Sequence, residues 1–366
     1  FGLGGKGPLV DLAGDTAPVT VLPFVSLLIP IRNEAAFIER SLGAVLAQDY
    51  PADRIEILVA DGLSTDGTRD IIASLAINNP QSRIHVLDNP GHIVSTGLNI
   101  ALRQARGDVI IRVDGHCEIA PDYVTRCVAH LQTPGVQAVG GPLETVGLTP
   151  LAQTIAIAMS TPFGVGGSPF RTVTKKTMFV DSVAFPAYAR AAVERAGLFD
   201  EELVRNQDDE YNYRLRKLGV KILLAPDVRA RYYSRASLSA LCRQYFQYGH
   251  WKVRVLQKHL AQMRFRQFAP PLFVAALIGA AALAPFATAG QILLAVIGGA
   301  YVVANVIASL WTVRQRGWRH LPLLPLVFAI LHVSYGLGFL LGLVKFWNRW
   351  GDKIGKTPRW QPVDAA

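Results

Sequence analysis

Three long apolar stretches near the C-terminus, residues 268–290, 291–311 and 321–346, limit what this chain can fold into more than any other feature. Each runs 21 residues or longer, and the only charge in any of them is Lys345. At 1.5 Å per helical residue, about 20 apolar residues cross the roughly 30 Å hydrocarbon core of a bilayer. Buried helices of a soluble domain are the competing reading, and runs of this length and purity fit it poorly. Composition agrees: 51% of the 366 residues are hydrophobic and 17% are charged, where soluble domains carry about 25%. Such a chain buries enough apolar surface to exclude disorder as its dominant state.

The formal net charge of +10 is unevenly placed. Residues 1–227 hold 20 Lys+Arg and 25 Asp+Glu, whereas residues 228–351 hold 14 Lys+Arg and no carboxylate. This is not the even basic surface of a nucleic-acid binder, so nucleic acid is excluded as a partner. It reads as an acidic-leaning catalytic part on a basic, multi-pass membrane part facing anionic lipid. Cations precede the first stretch (Lys252, Arg254, Lys258, Arg264, Arg266) and separate the second from the third (Arg314, Arg316, Arg319), while the link at 289–291 has none. By the positive-inside rule residues 1–266 are cytoplasmic. Three full crossings would then send the tail, with Lys345, Arg349, Lys353, Lys356 and Arg359, outside against the same rule. Either the tail is external or one stretch is re-entrant, and Pro270, Pro271 and Pro285 point to the first.

Residues 1–23 are rich in Gly and Pro, lack a basic start followed by an apolar run, and read as an N-terminal extension rather than a secretory signal. The chain opens on Phe1 rather than Met, so its natural start reads as missing. Three cysteines (Cys117, Cys127, Cys242) without a CxxC pair exclude a disulfide scaffold and a cysteine zinc site, and fit a reducing compartment.

Ahead of the membrane part, short β-rich runs at 25–31, 55–60, 84–87 and 109–113 alternate with helix-like stretches at 35–48, 68–75 and 96–106. Strand, helix, strand, repeated, predicts an α/β fold with a mostly parallel central sheet. Ligands then bind at the carboxyl ends of the strands. Arg32-Asn33-Glu34 follows the first run, Asp61-Gly62 the second and Asp114-Gly115-His116 the fourth. Neither GxGxxG nor a Walker A loop stands at the first strand-to-helix turn, which argues against dehydrogenases and P-loop enzymes.

These segments, from Ile29-Pro30-Ile31-Arg32-Asn33-Glu34 through Val59-Ala60-Asp61-Gly62 to Asn206-Gln207-Asp208-Asp209-Glu210 and the Arg214-Leu215 helix, resemble glycosyltransferase family 2, the inverting nucleotide-sugar transferases of the GT-A fold. The likeness runs from about residue 24 to 249, with the motifs in the family's order. It implies a GT-A domain at 24–235, amphipathic interfacial helices at 236–267, about three transmembrane helices at 268–346 and a basic tail at 347–366.

The resemblance places Pro30, Arg32, Glu34, Asp61, Asp114 and Asp181 around the nucleotide sugar. A carboxylate at Asp61 suits the N3–H of uracil, which needs an acceptor; a plain turn is the other reading of Asp61-Gly62. Ser64-Thr65-Asp66 reads as helix capping. Asp114-Gly115-His116 takes the place of the family's DxD motif, so Asp114 and His116 are expected to hold a divalent cation, with the imidazole favouring Mn²⁺ over Mg²⁺. Alternatively His116 is a polar loop residue bonded to phosphate. Asp208 is the expected base that takes the acceptor hydroxyl's proton, with Gln207 where a Glu is usual. The other role for Asp208, Asp209 and Glu210 is negative charge on a helix's first turn.

Gln207, Asp209, Gln244, Tyr248 and Trp251 are expected on the acceptor or diphosphate side, with Gln247 and Tyr248 replacing the Arg and Trp of a QxxRW motif. Residues 164–168 read as a mobile glycine loop beside Arg171, Lys175 and Lys176, or as a plain solvated one. The motif set most resembles the succinoglycan-biosynthesis glucosyltransferase group of bacterial exopolysaccharide pathways. It implies transfer of one sugar, glucose, from a UDP-sugar donor to a polyprenyl-diphosphate-linked glycan at the inner membrane. A processive polysaccharide synthase and a catalytically silent scaffold or nucleotide-sugar sensor are the alternatives; nothing in the sequence fixes the oligomeric state.

Overall fold

A computed structural model describes residues 22–173 and 175–360; most of the N-terminal extension (1–21) and the end of the tail (361–366) lie outside the described residues. The chain forms two compact units. The first comprises Phe1–Glu144, Val173–Tyr232 and Lys356–Ala366, the second Thr145–Thr172 and Tyr233–Gly355.

The strands are β1 (Val25–Ile31), β2 (Ile55–Asp61), β3 (Arg83–Asp88), β4 (Val109–Arg112), β5 (Cys117–Ile119), β6 (Val136–Gly141), β7 (Leu143–Val146), β8 (Met178–Val180), β9 (Ala184–Ala189), β10 (Lys221–Leu224) and β11 (Ala230–Tyr233). Eight of them form one sheet in the order β3-β2-β1-β4-β9-β6-β10-β8, and β5-β11-β7 form a second. β3, β2, β1 and β4 pair in parallel, as do β6 and β10. β9 runs antiparallel between β4 and β6, and β8 antiparallel along β10. The sheet is therefore mostly parallel on the side where the sequence alternates strand and helix. β1 and β2 are buried along their whole length, which explains their unbroken apolar runs: parallel strands covered on both faces have no polar side. The covering helices Ile38–Leu46, Thr68–Asn78 and Val94–Gln104 supply Ile38, Leu42, Ile72 and Leu98 to that core.

Within the second unit three helices are long and apolar enough to cross a membrane: Phe265–Leu283, Thr288–Arg316 and Leu324–Lys345. Pro270 and Pro271 sit inside the first without ending it, because a proline in the opening turns of a helix removes few of its internal hydrogen bonds. The segment expected as interfacial helices forms one helix, Leu238–Lys258, docked along Leu324–Lys345. Glycines set that seam. A Cβ on Gly249 would meet the Tyr335 carbonyl oxygen at 2.0 Å, and one on Gly338 the Phe246 carbonyl oxygen at 2.0 Å. Gly342, four residues after Gly338, faces the His250 carbonyl oxygen in the same way. Small residues spaced by four let two helix backbones approach closely.

Residues 145–172, expected in the catalytic domain, belong to the second unit. The cause is the apolar helix Pro150–Met159 together with the short turn of helix at Pro162–Val165. Thr154 bonds His320 at 2.8 Å, and Phe163 packs edge-on against Phe328 and His332. The stretch expected as a glycine loop is partly built into this packing, since a Cβ on Gly164 would lie 2.1 Å from the Ala158 carbonyl oxygen.

Candidate active site

The carboxyl ends of β2, β1 and β4 lie side by side in the sheet and carry Asp61, Arg32 to Glu34, and Asp114 to His116. Two of the loops are stapled to each other. The Asn33 amide donates to Ser64 Oγ (2.8 Å), the Thr65 amide to Asn33 Oδ1 (2.9 Å), the Glu34 amide to Thr68 Oγ1 (2.9 Å) and the Ala35 amide to Asp66 Oδ2 (3.0 Å). Asn33 and Leu63 take left-handed backbone conformations (φ 55° each) to make these turns. Arg32 is exposed and lies over Gly62, where a Cβ would meet its side chain at 3.1 Å. Pro30 is buried within β1. Asp66 accepts from the Ala35 and Thr68 amides, the capping role expected of it.

Asp61 is fully buried and anchors its own loop: it accepts from the Ser64 amide and hydroxyl and from Arg69, which also bonds Asp88 at 2.6 Å. A carboxylate has about four acceptor sites, so these donors leave little beyond one lone pair for a ligand.

Glu34 Oε1 lies 2.9 Å from His116 Nδ1, and the His116 ring packs edge-on against Tyr232. Gly115 permits this pairing, because a Cβ there would meet Ile31 at 2.7 Å and Glu34 at 3.0 Å. With Glu34 accepting the Nδ1 proton, His116 keeps the Nε2 lone pair for a ligand, the arrangement that orients metal-bound histidines. Asp114 is committed otherwise: the Arg112 guanidinium forks onto it, Nε to Oδ1 at 2.8 Å and Nη2 to Oδ2 at 3.1 Å. Burial acts to raise the Asp114 carboxyl's pKa, but Arg112, His116 and Arg205 outweigh it and hold it below the usual range. Among the described residues no three His, Cys, Asp or Glu side chains group as a cation cage. The donor set fits a divalent ion held by His116, with remaining capacity on Asp114, and by the phosphate oxygens of a ligand.

Asp208 opens the helix Gln207–Lys217. The rest of that helix is pinned: Glu210 pairs with Arg214, whose guanidinium also donates to the Ala196 and Leu198 carbonyls (2.6 and 2.8 Å). Asn212 joins Tyr188 and Ser182, and Arg216 pairs with Asp181 at 3.0 Å. Asp181 thus meets the back of this helix. Asp208 is partly buried, and burial, with Asp209 and Asp114 nearby, raises its carboxyl pKa despite the opposing Arg112. Asp209 is partly buried beside it, and the buried Gln207 Oε1 has no hydrogen-bond partner. Glu34, Asp114, His116 and Asp208 therefore converge, with Arg112 in electrostatic contact with both Asp114 and Asp208. Burial opposes the Arg112 charge, but those two carboxylates raise its pKa.

Arg112 and Arg205, whose charges act on Asp114, are the residues of this cluster that the sequence does not single out. Arg112 had a signal, since strand alternation puts residues 112 and 114 on one face; Arg205 sits in a loop without periodicity. Gln244, Tyr248 and Trp251 lie on Leu238–Lys258 in the second unit, where Gln244 donates to the Tyr248 hydroxyl (2.9 Å) and Trp251 packs against His250 and Phe346.

Comparison with known proteins gives this geometry a context. Residues 26–196 match the model of the glycosyl transferase family 2. The chain is 30% identical over 332 residues to the succinoglycan biosynthesis protein ExoA of Rhizobium meliloti (strain 1021), covering 88% of this chain and 96% of that one. It is 27% identical to a dolichyl N-acetyl-alpha-D-glucosaminyl phosphate 3-beta-D-2,3-diacetamido-2,3-dideoxy-beta-D-glucuronosyltransferase of Methanococcus voltae, covering 88% and 98%. Among solved structures, the mannosyltransferase PcManGT of Pyrobaculum calidifontis, in complex with GDP-Man and Mn²⁺, superposes with a TM-score of 0.61 at 22% identity over 92% and 91% of the two chains. The fold is GT-A.

Proposed function

The chain belongs to glycosyltransferase family 2, and we propose that it transfers a single sugar, glucose, from a UDP-sugar to a hydroxyl of a polyprenyl-diphosphate-linked glycan. The product chemistry is inverting, the setting bacterial exopolysaccharide synthesis, and the catalytic unit faces the cytoplasm at the inner membrane. Asp208 carries the reading: a carboxylate with a raised pKa on a pinned helix, in electrostatic contact with Arg112 and Asp114.

Inversion in one displacement needs one base and no nucleophilic carboxylate. Asp208 takes the proton from the acceptor hydroxyl as that oxygen attacks the anomeric carbon from the face opposite the diphosphate. Burial makes it a stronger base than an exposed Asp, while the Arg112 charge opposes that rise. Gln207 offers a buried acceptor to a second hydroxyl beside it. His116, oriented by Glu34, and Asp114 would hold a Mn²⁺ or Mg²⁺ ion, which when bound neutralises charge growing on the leaving diphosphate. The stapled loops 32–35 and 62–68 form the nucleobase side, where a carboxylate acceptor at Asp61 suits the N3–H of uracil. The second unit's fourteen Lys and Arg against its single carboxylate, Asp352, suit an anionic lipid-linked acceptor.

The test uses the full chain in lipid with a polyprenyl-diphosphate-linked oligosaccharide. A panel of UDP-sugars and GDP-mannose is supplied with Mn²⁺ or Mg²⁺. One added sugar from UDP-glucose, lost in Asp208→Asn, is expected. A ladder of products would establish a processive synthase, and no transfer from any donor would leave a scaffold or sensor.

A further inference from the structure

Four observations in different parts of the chain bear on how it crosses the membrane. First, the tail returns to the catalytic unit: the Lys356 amide donates to the buried Asp200 (2.9 Å), and the Glu201 amide to the Lys356 carbonyl (2.8 Å). A chain that leaves this unit at residue 232 and rejoins it at 356 crosses a bilayer an even number of times. Three apolar helices therefore cannot all cross.

Second, Leu324–Lys345 runs alongside Leu238–Lys258 in the same direction. Cys242 meets Ser334 (3.1 Å), Phe246 meets Gly338, His250 meets Gly342, and Gln257 donates to the Phe346 carbonyl (2.7 Å). The helix Leu238–Lys258 carries Arg243, Lys252, Arg254 and Lys258. Its fully buried Arg254 bonds Gln257, the Arg349 carbonyl and Asp352. Four cations on one helix do not stand at hydrocarbon depth, so its neighbour is held at the surface with it.

Third, the spans differ in burial. Protein buries 44% of the apolar window of Leu324–Lys345, against 17% and 11% for Phe265–Leu283 and Thr288–Arg316. Fourth, residues 284–287 form the one uncharged connection, whereas Arg314, Arg316 and Arg319 precede the last helix and Lys345 and Arg349 close it. Exposed Trp318 and Trp347 flank the same helix at either end, as residues at one headgroup level would.

We propose that the hairpin Phe265–Leu283 and Thr288–Arg316 makes both crossings, while Leu324–Lys345 stays in the leaflet on the catalytic side. There it lies along Leu238–Lys258, with Leu326, Leu337, Leu341 and Val344 turned to the acyl chains and the flanking cations to anionic headgroups. On this reading the last stretch, rather than the first to which the prolines point, is the one that does not cross. The assignment is independent of the sugar transferred and of which compartment holds the catalytic unit.

Single cysteines placed at exposed positions in a Cys242→Ser background test it, labelled by a membrane-impermeant maleimide in right-side-out and inverted vesicles. Cys117 and Cys127 are buried and remain. Asp53→Cys reports the side of the catalytic unit. Trp318→Cys and Lys353→Cys are expected to label from that same side and Phe286→Cys from the other, each by at least about tenfold over the opposite vesicle orientation. Ile354→Cys replaces Lys353→Cys should that variant not accumulate. Tail labelling from the Phe286 side would establish three crossings and overturn the proposal. Trp318 labelling from the Phe286 side would give the return crossing to Leu324–Lys345, and Phe286 labelling from the Asp53 side would abolish the hairpin; both also overturn it.

Discussion

The two units handle charge in opposite ways. In the first, acids and bases neutralise each other locally: Asp61 and Asp88 on Arg69, Asp114 on Arg112, Glu210 on Arg214, Asp181 on Arg216. The second holds fourteen Lys and Arg against one carboxylate, Asp352, and its buried Arg254 turns partly to the Arg349 and Asp352 backbone carbonyls. The difference teaches where each unit finds its counter-charge. The first unit carries its own, with Asp208 left at a raised pKa; the second carries almost none, and on the proposed function anionic lipid would supply it.

The sharpest way to break this contrast is at Asp208. Asp208→Asn is expected to lower kcat by about 10²–10⁴-fold, the usual worth of a general base, measured as sugar transfer at saturating donor. The sign for stability is opposite. Because its pKa is raised, the native state takes up the proton more readily than the unfolded chain, so the ionised group opposes folding at neutral pH and the opposition fades as pH falls. The variant should melt no lower than the parent at pH 7, and the parent's kcat should fall on its acid side above the ordinary Asp value of about 3.9. A melting temperature well below the parent's would mean that Asp208 is structural.

Next in size is the glycine seam. Gly338→Leu forces side-chain atoms into the Phe246 carbonyl, and overpacking of this kind costs about 1–3 kcal/mol or more. Thermal unfolding in detergent should show the loss, and an unchanged transition would mean that the two helices separate easily. Glu34→Gln leaves His116 without its charged partner; loss of such outer partners costs about 10–100-fold in metal affinity. The Mn²⁺ concentration for half-maximal transfer should rise by that factor, with little change at saturating metal. The smallest effect is expected at Asp352, whose pKa is held down at about 2 by Arg349 and the Gly355 amide. Its contribution is present above the unfolded Asp pKa and lost as pH falls towards 2. Asp352→Asn should cost no more than about 1 kcal/mol, since the carboxylate is 37% exposed, and the difference should shrink at high salt.

The same contrast explains how much of the molecule was legible in the sequence. β1, β2 and β4 fall within a residue or so of the runs at 25–31, 55–60 and 109–113, because parallel strands buried on both faces write themselves as unbroken apolar stretches; the half-exposed edge strand β3 matches the run at 84–87 by its β-rich residues alone. The later strands, such as β5 and β8, are three residues long and leave no periodic trace. At the site, Asp114, His116 and Asp208 were reached through spacing and family likeness, whereas the Glu34–His116 pairing joins residues 82 apart and only folding reveals it. In the membrane unit hydropathy located three helices, but it reports length and not destination. The contact that decides the destination, Lys356 on Asp200, joins residues 156 apart. The Gly338 and Gly342 spacing is visible in the sequence, but the helix it faces is not.

Loops 32–35 and 62–68 are bonded to each other through Asn33, Ser64, Thr65, Thr68 and Asp66, so under the proposed function little ordering entropy would be lost when a nucleoside settles against them. Recognition of the base would then be a lock cut in advance, on a shelf whose shape the donor does not have to set.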